Sequence, residues 1–333
     1  MVSVPPAARA WPQRLGARAR PPHSGTGRGL RVLRHKALSV VPPKVWFMAT
    51  LPNPLPDLAS SGLDLPPGSL VDGTLDGPWH EPLLWYADGP AAPRDWTALR
   101  TAGRRLGLLP VLVTGGARDQ WPDAWDLHPG GTSYPGDHDA DEVLAGYWTD
   151  YAHEEVDSNG SDGSDGSSSD DSEAGSGDEG GRGSWPGLAP APAAESGEDP
   201  DEAAAGLVGV ITADPDSWLG GARMALVPAR RSADIPASIG WSGPMNHEND
   251  VARLCAVLRS WEDRYDARVV VLGFDTMIVS VGRPPTTPEE ARALAAEHYA
   301  FCPDNIDQSP PYDLEVYAQK RLLDQEVWSF WWD

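Results

Sequence analysis

Three places in the chain carry residue types that could do chemistry. Asn246-His247-Glu248-Asn249-Asp250 crowds metal-ligand and acid–base side chains at the start of a helical pattern. His298 and Cys302 stand four residues apart, so one helix would bring an imidazole beside a thiol, the arrangement of an activated nucleophile. Asp275 lies in the two-residue gap between two apolar runs, where a turn would present a carboxylate. Together His247, Glu248, Asp275, His298 and Cys302 define one enzymatic alternative, a hydrolase with an inter-domain site.

Each candidate has a plainer explanation, and the sequence favours it. Cys302 is followed by Pro303 and Asp304, and a nearby carboxylate raises a thiol pKa instead of lowering it. Core packing and helix closure are therefore the expected roles of His298 and Cys302. The cluster at 246–250 lacks HExxH spacing, and adjacent helix residues point in different directions. Capping of the helix by Asn246 or Asn249 is the expected reading there. A metal set would need His247 to meet His80, His128 or His138 from elsewhere in the chain. Trp121-Pro122-Asp123 has the form of a phosphatase acid loop, but neither cysteine has an arginine six residues on, as its phosphate loop would require. GxxxxGK[ST], strand-to-helix GxGxxG and GxSxG patterns are absent, so no cofactor is expected.

The elements that would position these residues are clearest between Ile239 and Ile306. Val251, Leu254, Cys255, Leu258 and Trp261 paint one apolar stripe, which predicts a helix from about Asn246 to Tyr265. RVVVLG (268–273) and TMIVSV (276–281) are β-branched runs too close for a parallel crossover, so they form an antiparallel hairpin or one bulged strand. Thr287-Pro288-Glu289-Glu290 is a capping box with proline at the first helical position. Ser309-Pro310 repeats that start signal for a helix to about Leu323, and the aromatic end VWSFWWD must be partly core.

Upstream, Ser69–Asp72, Pro82–Ala87 and Pro110–Thr114 read as strands, with a helix from Asp95 to Gly107. Strand, helix, strand at this spacing suggests a βαβ unit with a parallel pair. Residues 141–152 read as a helix, and 207–212 (LVGVIT) and 224–229 (MALVPA) as strands.

Composition divides the chain into four parts. Residues 1–47 form a spurious or disordered extension, with Met48 expected as the true start. Residues 48–153 are an N-terminal α/β region. Residues 154–204 are an acidic disordered linker, and 205–333 a C-terminal α+β domain. The linker reading rests on 15 acidic residues and one arginine between 154 and 202. Residues 1–56 hold nine of the 26 basic residues and no acid, so 49 acidic and 17 basic residues fall in the rest. Such a body repels phosphate and anionic lipid, which argues against nucleic-acid or membrane partners and suits a basic protein partner. Two cysteines make neither a disulfide framework nor a CxxC zinc site, so a reducing cytoplasm is expected.

NHENDVARLCAVLRSWEDRY, VVVLGFDTMIVSV, the PPTTPEEA helix start, HYAFCPDNI and the terminal WSFWWD occur together and in order. This stretch, about Arg223 to Asp333, resembles a bacterial family known as domain of unknown function 4253. The resemblance implies a cytoplasmic bacterial α+β protein and no particular reaction. The expected fold is α+β, with a helix, antiparallel strand pair and helix unit at the C-terminus and a smaller α/β region before it. The expected role is a non-enzymatic protein-interaction module, immunity-like in character.

Overall fold

β-Branched and apolar runs in both halves of the chain pair into one sheet. The computed structural model describes residues 52–159, 183–193, 198–214, 216–310 and 312–332. The expectations for residues 1–47, for Met48 and for the centre of the acidic linker fall outside them. The strands are β1 (Gly68–Val71), β2 (Gly73–Thr74), β3 (Gly77–Pro78), β4 (Leu84–Ala87), β5 (Leu108–Val113), β6 (Arg223–Pro228), β7 (Ala267–Leu272), β8 (Thr276–Val281) and β9 (Val327–Trp331). Seven of them form a sheet in the order β1-β4-β6-β5-β7-β8-β9, and β2 and β3 make a separate small hairpin. All neighbours are antiparallel except β5 and β7. The fold is α+β with a mixed sheet.

The expected βαβ unit is present in direction but not in pairing. β4 and β5 point the same way, yet β6 lies between them, antiparallel to both. β5 is buried along its whole length, which accounts for its unbroken apolar run. Its proline is tolerated because β7 pairs only with Leu112 and Val113, so Pro110 lies beyond that ladder. The β7–β8 hairpin forms as expected, with an irregularity between Val269 and Val271.

Helices cover both faces of the sheet. They are α1 (Asp95–Gly103), α2 (Ala140–Asn159), α3 (Pro200–Ala213), α4 (Ile235–Ile239), α5 (Val251–Tyr265), α6 (Pro288–Phe301), α7 (Asp304–Asp307) and α8 (Leu314–Tyr317). On one face Leu84, Tyr86 and Val111 pack with α2, α5 and α6. On the other Trp85, Ala87 and Leu112 pack with α1 and α3. The period-2 alternation of each strand thus feeds two cores. No helix among the described residues is long and apolar enough to cross a membrane.

Several boundaries differ from the sequence reading, each for a local reason. LVGVIT is part of helix α3 and not a strand. Asp199 caps that helix, accepting from the amides of Asp201 at 2.8 Å and Glu202 at 3.3 Å, and Pro200 occupies its first turn. Leu207, Val208 and Ile211 then face the second core together, each worth roughly 1.5–3 kcal/mol of burial. Helix α5 begins at Val251 and not Asn246, because the side chain of Asp250 takes the capping role from the Ala252 amide at 3.1 Å. The last helix starts at Leu314, capped by Asp313, and ends in a π turn at Ala318–Leu322. Thr287 and Glu290 do form the capping box of α6.

Within the expected linker, residues 183–193 pack against the helices. Ala189 is buried, its amide donates to Glu297 Oε1 at 2.7 Å, and its carbonyl accepts from Arg264 at 2.6 Å. The acidic average of the region hid this Trp- and Leu-containing end. Glu297 has no exposed surface and accepts four bonds: from the Ala189 amide, the Trp261 indole at 2.8 Å, and both terminal nitrogens of Arg264 at 2.8 and 2.6 Å. Glu297→Ala leaves the guanidinium and two N–H groups without their acceptor. The expected cost is about 3–5 kcal/mol by urea unfolding. A loss below about 1 kcal/mol would show that these helices are held together by other contacts.

Candidate functional site

The loop before α5 places His247 and Glu248 against helix α2. The Tyr147 hydroxyl donates to Glu248 Oε2 at 2.5 Å, and Arg253 approaches the same oxygen at 2.8 Å. The Asp250 amide donates to Oε1 at 2.9 Å, so both oxygens of Glu248 are engaged. His247 Nδ1 meets the Tyr151 hydroxyl, and its ring stacks on Tyr151 at 5.7 Å and tilts against Tyr147 at 4.6 Å. Burial pushes the His247 pKa down to about 4. Burial, then the bond to Glu248, pushes the Tyr147 phenol well above its usual range. The corner holds a neutral imidazole, an occupied carboxylate and a phenol that keeps its proton.

His298 and Cys302 lie inside the core at the end of α6, and both are fully buried. Three aromatic rings surround the His298 imidazole, Trp328 at 4.7 Å and Trp261 and Phe330 each at 4.9 Å. His298 Nδ1 lies 3.1 Å from the Tyr317 hydroxyl. Burial pushes its pKa down to about 3. The Cys302 thiol donates to the Trp331 carbonyl at 3.0 Å and not to His298. Burial pushes that thiol, and that of Cys255, well above the ordinary range. A buried thiol bonded to a carbonyl is not an activated nucleophile.

Asp275 sits in the turn between β7 and β8. One oxygen accepts from the Thr276 hydroxyl at 3.0 Å, and its carbonyl accepts from the Trp332 amide at 3.1 Å. The five candidates thus have separate partners at three places: the α5 entrance, the end of α6 and the β7–β8 turn. His80 faces Glu81 at 3.8 Å, His128 faces Asp76 at 3.6 Å, and His138 faces Asp250 at 3.8 Å, so the histidines do not gather around His247. Among the described residues no three His, Cys, Asp or Glu side chains are placed to hold a metal ion. Asp123 accepts from the Tyr86 hydroxyl at 2.9 Å, and its neighbour Trp121 carries the Arg223 guanidinium at 3.6 Å.

One cluster was not foreseen. Ser133 Oγ lies 2.6 Å from His138 Nε2, and Asp250 Oδ2 lies 3.8 Å from the same nitrogen. A catalytic triad needs the serine and the carboxylate on opposite ring nitrogens, so that the carboxylate orients the imidazole toward the hydroxyl. Here both share Nε2. Asp250 also accepts from the Ser133 amide at 3.0 Å, so the cluster fastens a loop to the α5 cap. The pair Ser133 and His138, five residues apart, was visible in the sequence, but its link to Asp250 depends on the fold.

The end of α6 has a structural task. In β9 the even-numbered residues face β8, as the register and the Trp332 amide bond show. The carbonyls of Ser329 and Trp331 therefore point off the sheet edge. Asn305 Nδ2 donates to the first at 2.7 Å and the Cys302 thiol to the second. The turn from Cys302 to Asn305 closes this edge.

Residues 223–333 match the family model described as "Domain of unknown function (DUF4253)", which bears out the resemblance over the C-terminal third. No curated protein and no solved structure matches the chain.

Two outcomes follow from the site. Both His247 and His298 have folded pKa values below the ordinary 6.5. The unfolded chain then binds more protons below that pH, so stability falls as pH drops from 6.5 toward about 4 for His247 and about 3 for His298. Each contributes a slope of about 1 kcal/mol per pH unit between roughly pH 6 and 5, and His298→Gln should remove one of the two slopes in urea melts. An unchanged slope would mean that His298 is not held neutral. Separately, Asn305→Leu strands the Ser329 carbonyl at the sheet edge and should cost about 1–3 kcal/mol, read by the same melts.

Proposed function

We propose that the protein is a non-enzymatic cytoplasmic interaction module that engages a basic protein partner. One observation carries the reading. Residues 52–93 hold six carboxylates, Asp57, Asp64, Asp72, Asp76, Glu81 and Asp88, and no lysine or arginine. The five aspartates are exposed and Glu81 is half-buried. Carboxylates of one sign on an outer surface speed encounter with a cationic partner and repel anionic ones. The groups best suited to covalent chemistry, Cys302 and His298, are spent on packing and edge closure, which favours binding over catalysis. An immunity-like role against a basic toxin has this chemistry.

The test begins with capture on the immobilised full chain from an extract of its own host, across a salt series. The expected result is a protein of net positive charge that, once purified, binds directly and loses at least about tenfold in affinity between low and high salt. The triple change Asp64→Asn, Asp72→Asn and Asp88→Asn should slow its association. No retained protein at any salt, or a retained protein that binds the triple variant as fast as the parent, overturns the reading.

A further inference from the structure

The seven-stranded sheet has two edges, and they are treated differently. Beyond β9, donors from Asn305 and Cys302 occupy the outward carbonyls of Ser329 and Trp331. Beyond β1, no strand follows among the described residues. The side of β1 that faces inward is set by two bonds, from the Asp88 amide to the Pro67 carbonyl at 2.9 Å and from the Leu83 amide to the Val71 carbonyl at 2.7 Å. Residues 67, 69 and 71 therefore turn their main-chain groups toward β4. By the two-residue period, the N–H and C=O of Gly68 and Leu70 point away from the sheet. Residues 66–70 are exposed without interruption, and the Leu70 side chain is 45% exposed. An open edge bearing an exposed leucine is a template for another strand.

The charge around this edge selects the occupant. Asp64 precedes β1, Asp72 follows it directly, and Asp88 is bonded beside its first residues. No lysine or arginine lies between Lys44 and Arg94. The first cation inward, Arg223 on β6, is stacked on Trp121. A second copy of this chain would bring the same three carboxylates against these, and like charges oppose that pairing. An extended segment with alternating cationic and apolar side chains meets both demands. Its main chain would pair with Gly68 and Leu70, its apolar side chains would share the Leu70 face, and its cations, on the other face, would meet the acidic field that Asp64, Asp72 and Asp88 set up around the edge.

We infer that β1 is a docking edge which takes an extended basic segment of a partner protein as an added eighth strand. The inference deepens the proposed function and rests on its basic partner. The probe is a capped peptide of alternating valine and arginine, added to the full chain. Its binding should slow amide exchange at Gly68 and Leu70 by at least about tenfold, because those N–H groups become donors in a new ladder. A peptide of alternating valine and glutamate should leave them unchanged. Leu70→Pro removes one outward N–H without breaking a bond to β4, so it should abolish peptide binding at unchanged melting temperature. If that variant is destabilised, the exchange experiment on the parent chain decides alone.

Binding that protects other amides and leaves Gly68 and Leu70 unchanged overturns the edge and leaves the basic partner standing. So does a host partner captured by a chain that ignores the peptide. Failure of both the peptide and the capture removes the reading beneath the inference as well.

Discussion

The sheet depends on where β5 sits. β6 and β7 both belong to the family-matched region 223–333, yet they do not touch as strands. β5, from residues 108–113, enters between them, antiparallel to β6 over six residue pairs and parallel to β7 over two. Without β5, two interior strands would expose unpaired main-chain groups, and each buried unpaired group costs about 1–3 kcal/mol. The matched third of the chain therefore builds its sheet with a strand from outside itself. β4 and β1 extend the same sheet beyond β6, so the composition boundary at 154–204 does not separate two sheets. The two stretches of chain are joined by the strongest repeating interaction available, a central ladder buried on both faces.

A second constraint holds the helices over that sheet. Glu297 is an ion in the core, and it is tolerable only because Arg264, the Trp261 indole and the Ala189 amide together satisfy it. Three separate segments, α5, α6 and residues 183–193, must be in place at once. The Arg264 guanidinium also bonds the Ala189 carbonyl, and the Tyr265 hydroxyl reaches the Pro190 carbonyl at 3.4 Å. These bonds address main chain and not side chains. They add to the packing of Trp185, Leu188 and the buried Ala189 against the core, so a segment with few large apolar groups is fixed by its main chain as well. Trp148 adds the same kind of contact, donating its indole N–H to the Gly183 carbonyl at 2.7 Å.

Local grammar was legible where it was short in range. The capping box at Thr287, the apolar stripe of α5 and the β7–β8 hairpin are each encoded within about a dozen residues. The start of α3 had equally clear grammar, Asp199-Pro200 before an alanine-rich run, but the acidity of its surroundings masked it. LVGVIT then passed for a strand because a short apolar run carries no period of its own. The insertion of β6 between β4 and β5 had no local signal, since ladder partners across more than a hundred residues leave no mark on either strand. The same holds for the candidate site. His247, Glu248, His298 and Cys302 were identifiable by type, whereas Tyr147, Tyr151, Tyr317 and Trp331, which decide what those residues do, come from other elements.

The fate of Cys302 shows why a chemically suggestive spacing can mean architecture. A helix that ends beside the outer strand of a sheet meets a row of free carbonyls, which want donors. Near the last turn of such a helix, a thiol and a carboxamide three residues apart, Cys302 and Asn305, reach alternate carbonyls of β9. Pro303 stops α6 where this becomes possible, and His298, one turn earlier, fills the aromatic space behind it. The features that suggested a nucleophile, a thiol one turn after an imidazole at a proline stop, are also those needed to close a strand edge. What separates the two is solvent and partner: a nucleophile needs a base and access, and Cys302 has a carbonyl and neither. Closing β9 in this way leaves β1 as the sheet's one open edge among the described residues, bordered by aspartates at both ends.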